Sequence, residues 1–225
     1  MIRSHIRSHI RSHASPQRRY MTSLVTANTE YYTIPDIGST TTCMIEACFI
    51  GTAAGSGTRA IVYRHSSDRF YIARSPANTI LFGHGAAFFD TGIDTNDALH
   101  TASLEYTGTH VIGVVDGVEV LNTTTTFTGL LDDVGVGRRD DVSSFFFEGI
   151  IINVKVVVNG SIVRYYKLDE TWDGPSTVAV DSISGQDGTS VNITSSDAQN
   201  YTFDGNVSPN TWTGDDATVI EVAGT

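Results

Sequence analysis

Short runs of apolar and polar residues, closed by turn-forming dipeptides, fill most of the chain. Val111-Ile112-Gly113-Val114-Val115 leads into Asp116-Gly117 and returns as Val118-Glu119-Val120-Leu121. Asp-Gly between two β-branched runs predicts a two-residue hairpin turn, because both turn positions need positive φ. A second hairpin is predicted from Asn153 to Val158, through Asn159-Gly160, and back from Ser161 to Leu168. Further strands are expected at 30–35, 42–50, 59–65, 69–74, 79–82, 101–106 and 145–152. They recur about every 8 to 14 residues, the rhythm of an antiparallel sandwich or barrel rather than of βαβ units. No window of about 12 residues carries a capped helical period, so helices are not expected. The segment 170–225 is rich in Ser, Thr, Asp, Gly and Asn. Its Trp172, Tyr201, Phe203 and Trp212 predict loops and short edge strands docked at least partly on the body.

Composition agrees with the pattern. The chain of 225 residues holds 29 Thr and 21 Val but only 8 Leu and 2 Lys. Thr and Val are stiff at Cβ and suit a pleated sheet, whereas Leu and Lys favour helices. A hydrophobic share of 40% is enough for the core of one β domain.

The formal net charge of −11 divides the chain in two. Residues 1–19 carry five Arg, three His and no acid. Residues 20–225 carry all 25 acids against nine bases, a net −16. Such a body is a poor partner for nucleic acid or an anionic membrane surface, so neither is expected. No stretch of about 18 apolar residues is present, which excludes insertion as an apolar helix.

The basic segment is itself a repeat: Met1 is followed by Ile-Arg-Ser-His at 2–5, 6–9 and 10–13. It lacks the apolar run of about 7 to 15 residues of a secretory signal, so synthesis in the cytoplasm is expected. As a helix it would align His5, His9 and His13 in a stripe able to hold a metal, but with three Arg beside them and no nearby Cys or carboxylate. A solvated tail and an organellar transit peptide are alternatives on composition. The expected role is an anchor arm that orders against a partner, built from Ile2, Arg3, His5, Ile6, Arg7, His9, Ile10, Arg11, His13, Arg18 and Arg19. Pro16 makes 15–19 its hinge. Cys43 and Cys48, five apart in a predicted strand, point to opposite faces and read as free thiols.

The segments Asp116-Gly117, Gly135-x-Gly137 and Phe147-x-Gly149-Ile150-Ile151-x-Asn153-Val154-Lys155 resemble the concanavalin A-like or laminin G-like jelly roll. Arg164-Tyr165-Tyr166-Lys167-Leu168-Asp169-Glu170, then Thr177 to Asp181, Gly185-Gln186-Asp187-Gly188-Thr189 and Trp212, resemble the closing pattern of such domains in bacteriophage virion proteins. The resemblance covers roughly 25–215 and leaves out the arm. It implies a two-sheet antiparallel jelly-roll sandwich over 20–225, with the extended arm 1–19 outside it. It also implies display or recognition, often of sugars, on a virion or cell surface.

Candidate chemistry is sparse. Glycan-cleaving members of the fold need two or three carboxylates facing one cleft, and no acids stand at i, i+2 anywhere in this chain. No catalytic residue and no obligatory cofactor are therefore expected. Asp132, Asp133, Asp140 and Asp141 bracket a short strand and are weak calcium candidates, with ion pairing to Arg138 and Arg139 as the simpler reading. Trp172 and Trp212 are the candidates for stacking on a sugar, against a plain packing role. His65, His84, His100 and His110 are scattered and read as surface or packed side chains.

The expectation is a non-enzymatic bacteriophage virion structural protein, tethered by its arm to other virion proteins and displaying the jelly roll on the capsid or tail surface. Capsid decoration, head fibre and tail fibre are open alternatives, a host surface glycan is a possible ligand, and a trimer is expected by analogy. The rival readings are a glycan depolymerase on the same fold and a free lectin.

Overall fold

The structure is a computed structural model. It describes residues 21–24, 31–51, 57–64, 68–96, 98–125, 127–132, 134–138, 146–168, 178–191, 198–199, 202–203, 210–213 and 219–222. The anchor arm lies outside them. All regular structure among these residues is β-strand, as the alternation predicts.

In chain order the first strands are β1 (Met21–Leu24), β2 (Tyr31–Ile34), β3 (Gly38–Ser39), β4 (Cys43–Gly51), β5 (Arg59–Arg64), β6 (Arg69–Arg74) and β7 (Thr79–Gly85). Then come β8 (Ala87–Asp94), β9 (Leu99–Tyr106), β10 (His110–Val115), β11 (Val118–Thr124), β12 (Leu130–Leu131), β13 (Val134–Val136), β14 (Gly149–Val158) and β15 (Ser161–Tyr166). The last are β16 (Val178–Ala179), β17 (Gly188–Val191), β18 (Ala198–Gln199), β19 (Thr202–Phe203), β20 (Asn210–Thr213) and β21 (Val219–Val222).

They form two large antiparallel sheets. The first runs β11-β10-β9-β4-β14-β1-β18, with β15 also paired to β14; the second runs β16-β17-β2-β13-β5-β6-β7-β8. Strands β3 and β12 form a small ribbon, and β19, β20 and β21 form a three-stranded sheet. Part of the 170–225 segment thus extends both large sheets, through β16, β17 and β18.

Both predicted hairpins are present. Asp116 and Gly117 have φ of 49° and 80°, and Asn159 and Gly160 have 49° and 77°, the positive pairs such turns require. One boundary differs from expectation. Residues 145–152 and 153–158 were expected as separate elements, but 149–158 is one strand. Its pairing with β4 shifts register between Ile151 and Asn153, so the strand bends there. It does not break, because β4 runs unbroken alongside and supplies partners on both sides of the shift. Strand β8 was not anticipated.

The core lies between the large sheets. The first contributes Ile45, Ala47, Phe49, Leu104, Val111, Val154 and Val156; the second contributes Tyr32, Ile34, Val62, Phe70, Ile72, Ile80, Phe82, Val134 and Val136. Each large apolar side chain buried here is worth about 1.5 to 3 kcal/mol. Cys43 is buried, Cys48 half-buried, and both are free thiols. Burial pushes the Cys43 thiol up to about 11, so it packs as a small apolar group.

Two arginines are also sunk into the sandwich. Arg64 is 1% exposed. Its Nε and Nη2 donate to Asp132 Oδ1 at 2.9 and 2.8 Å, and its Nη1 donates to the Asp68 carbonyl. Arg74, at the opposite end of the paired strand, donates to Asn78 Oδ1. A buried guanidinium is costly unless its donors find acceptors; Arg64 is well supplied, whereas Arg74 Nε is buried without a hydrogen-bond partner among the described residues.

Candidate functional site

The β-strand period places residues of the second sheet alternately on the core and on the opposite, outer face. On β6, Phe70 and Ile72 enter the core, so Arg69, Tyr71 and Ala73 face outward. Cross-strand register then aligns a row over four strands: Tyr63 pairs with Tyr71, Tyr71 with Gly83, and Gly83 with Phe88. A neighbouring row holds Ala60, Ala73, Leu81 and Asp90. Ala60, Tyr63, Tyr71, Ala73 and Leu81 form a second apolar cluster, separate from the core.

Gly83 makes the aromatic row possible. A Cβ built on it would lie 1.9 Å from Tyr71 Cζ, so the ring occupies the space a side chain would need. Tyr63 stacks on Tyr71 with centroids 4.5 Å apart and planes 12° apart. Both rings are buried, whereas Phe88 at the end of the row is 72% exposed. Large apolar side chains on a free surface are a marker of binding sites when they sit beside a hollow.

Here they do. A cavity of about 370 Å³ is lined by Tyr63, Tyr71, Leu81, Phe88, Arg69 and Asp90, together with Thr58, Ala60, Ser75 and Pro76. Apolar walls with a few convergent polar groups are the usual make-up of a small-ligand site. Its two charged residues differ. Asp90 is engaged within the fold, accepting from the Thr79 hydroxyl and from Gly92 N–H at 3.0 Å. Burial would raise its carboxyl, but those hydrogen bonds, with one from Ser75, outweigh it and hold the group below the usual carboxylate range. Arg69, by contrast, forms no hydrogen bond or ion pair among the described residues.

Other polar groups serve the scaffold. His100 Nδ1 lies 2.7 Å from Asp116 Oδ2, and Asp116 Oδ1 accepts from Thr101 N–H at 2.8 Å. His100 was expected to be a surface or packed side chain; it is packed, and the hairpin-turn carboxylate holds it. Its Nε2 is buried without a hydrogen-bond partner among the described residues. His84 contacts Thr125 Oγ1 at 3.0 Å, and burial pushes its imidazole down. It borders a second hollow of about 420 Å³ with Gly85, Ala86, Ala87, Thr124 and Thr125, where no aromatic ring of Phe, Tyr or Trp contributes.

Asp181 is buried at the centre of the 181–187 turn. It accepts from Tyr165 N–H at 2.9 Å, from Ile183 and Ser184 N–H at 3.1 Å each, and from the Ser184 hydroxyl. Burial favours the neutral acid, yet these donors together outweigh it and lower the carboxyl below its ordinary value. The Asp181 to Asp187 segment of the sequence motif is thus a turn built around one carboxylate.

Of the four calcium candidates, Asp132 is described, and it pairs with buried Arg64; Arg139, one of its two expected partners, lies outside the described residues. Arg138 instead stacks over the Tyr31 ring at 3.9 Å. Asp133, Asp140 and Asp141 lie outside the described residues, as do Trp172 and His65. Trp212 stands on β20 opposite Phe203 and Ile220. Among the described residues no three His, Cys, Asp or Glu converge as metal ligands.

The groove residues were not singled out from sequence. Phe89, Thr91 and Ile93 alternate with the more exposed Phe88, Asp90 and Gly92. That period of two was a legible signal for β8, and with it for an outward Phe88.

No family model matches the sequence, and no curated protein is similar to it. Solved structures do share the fold. A proposed carbohydrate-binding protein from Bacteroides ovatus ATCC 8483 superposes with a TM-score of 0.61 at 15% identity, covering 77% of this chain and 58% of that one. The enzymatically active domain of bacteriophage CBA120 tailspike protein 2 superposes with a TM-score of 0.52 at 8% identity, covering 67% of this chain and 30% of that one. The chain spans less than two thirds of either. Its fold is a concanavalin A-like jelly roll.

Proposed function

We propose that this chain is a non-enzymatic glycan-recognition module, displayed from a bacteriophage particle by its basic N-terminal arm. The observation that carries the binding part is the groove on the outer face of β5 to β8. Phe88 offers an exposed ring for a pyranose face, and Tyr63, Tyr71 and Leu81 form apolar walls. Arg69, Asp90 and Thr58 supply polar groups in its lining. The shared fold with a proposed carbohydrate-binding protein supports the reading.

Binding without cleavage is favoured by the carboxylate count. Glycoside hydrolysis needs an acid and a nucleophile or base on opposite sides of the scissile bond. Asp90 is the one carboxylate among the described residues lining the groove, and its Oδ1 already accepts two internal hydrogen bonds. The rival depolymerase reading predicts release of reducing ends from host capsule or cell wall; the module predicts none.

The virion setting rests on the charge boundary near residue 19 and on the fold shared with a phage tailspike domain. Deleting residues 1–19 should free the protein from particles and leave the body folded; full retention on particles would overturn the tether. High copy number would favour capsid decoration and low copy number a fibre. Binding itself is tested on a glycan array with the full chain and with Phe88→Ala. Selective binding that drops about tenfold or more in the variant is expected, since aromatic contacts dominate such sites. No binding to any glycan would remove the recognition role.

A further inference from the structure

Residues 51–89 hold four Arg (Arg59, Arg64, Arg69 and Arg74) and a single acid, Asp68. In a body of net −16 this is a local reversal of sign, and the segment builds β5, β6 and β7 of the groove. Three of these arginines have distinct fates. Arg64 is neutralised by Asp132, and Arg74 is buried with Asn78. Arg69 is half-buried, lines the cavity, and has no hydrogen-bond or ion-pair partner among the described residues.

Asp90 does not neutralise it. Arg69 pairs across to Gly85, one row to one side of the Tyr71-Gly83-Phe88 row, while Asp90 pairs with Leu81, one row to the other side. Two rows are four residues of strand, about 13 Å at about 3.3 Å per residue, before the lateral offset is added. The two residues thus stand on opposite sides of the Phe88 row, and no ion pair joins them. Salt screens the exposed acids elsewhere on the body. A ligand on Phe88 therefore meets at one end a guanidinium without a partner among the described residues, and at the other a carboxylate whose Oδ1 is held by Thr79 and Gly92.

We infer that the groove selects acidic glycans, with Arg69 receiving a sugar carboxylate, as on a uronic or sialic acid, while Phe88 supports the ring. This rests on the proposed glycan-binding role and specifies its ligand class. A guanidinium presents parallel N–H donors that match a carboxylate in two-point contact, and it stays charged throughout the physiological range. A neutral hydroxyl in the same place would receive a weaker hydrogen bond and no charge pairing.

The test uses matched pairs. Bacterial polysaccharide fragments are arrayed natively and after reduction of their carboxyls to primary alcohols, and are probed with the full chain, Arg69→Gln and Phe88→Ala. The native chain should prefer the unreduced member of acidic pairs by about tenfold or more, the scale of one charge-assisted contact. Arg69→Gln should bind both members alike at the level of the reduced one, and Phe88→Ala should weaken both. Equal binding of both members by the native chain, or a preference that survives in Arg69→Gln, overturns the acidic selection while leaving glycan binding intact. Failure to bind any fragment overturns both.

Discussion

The ring of Tyr71 lies directly over Gly83 of the neighbouring strand, at the place where any other residue would put its Cβ. The side wall of the groove therefore depends on a missing side chain. Gly83→Ala must push the ring aside, and with it the Tyr63 ring stacked upon it. Because the displacement is on the outer face, the core contacts of Phe70, Ile72 and Phe82 remain. The variant should stay folded, lose about 1 to 3 kcal/mol from overpacking, and lose glycan binding. Chemical denaturation and array binding check both halves; unchanged binding would show that the Tyr71 wall is not used.

Asp132 stabilises the fold through Arg64, and this role does not call for a metal. Asp132→Asn leaves a buried guanidinium without its charge partner, which should cost about 3 to 5 kcal/mol. The loss should be the same in calcium and in chelator, measured as the difference in unfolding free energy from the native chain. A deficit that appears only when calcium is present would return Asp132 to the list of cation ligands.

The Asp116-Gly117 turn does two jobs at once. Asp116 adopts a φ of 49° and uses its carboxylate to hold His100 and Thr101 N–H. Asn tolerates the same backbone and can still accept one of these hydrogen bonds; Ala does neither well. Asp116→Ala should therefore be less stable than Asp116→Asn, each below the native chain, with a loss of about 1 to 3 kcal/mol for Ala. Thermal unfolding of the three proteins gives the order.

Asp181 makes stability depend on acid pH. Its folded carboxyl titrates below the ordinary value of about 3.9, so the unfolded chain binds the proton first as pH falls. The stabilisation from this residue is whole above that ordinary value. It declines as pH drops through it and is gone below the folded value. Asp181→Asn should remove this part of the acid dependence and also lower stability near neutrality. His84, whose imidazole is pushed down by burial, adds a separate decline beginning near about 6.5, where the unfolded chain takes up a proton that the folded chain resists. Denaturation midpoints measured from about pH 3 to 8 on the native chain, Asp181→Asn and His84→Gln separate the two.

Local chemistry made part of this molecule readable in one dimension. Asp116-Gly117 and Asn159-Gly160 specify their hairpins because positive φ at two successive residues is a property of those residue types. The β class follows from Thr and Val and from apolar alternation, since the strand period acts residue by residue. The contrast between a basic segment 1–19 and an acidic body is likewise a fact of sequence. Tertiary structure decided the rest. Nothing near Arg64 in sequence names Asp132, 68 residues away, as its partner. The groove needs Tyr63, Tyr71, Gly83 and Phe88 in one row, and only the register of β5 to β8 aligns them. A register is fixed by pairing over the whole sheet, so one slip would send each of these side chains to the opposite face. For the same reason the standing of Arg69 is not visible in its own segment: that no described acid pairs with it is decided by the register that sets Asp90 two rows away.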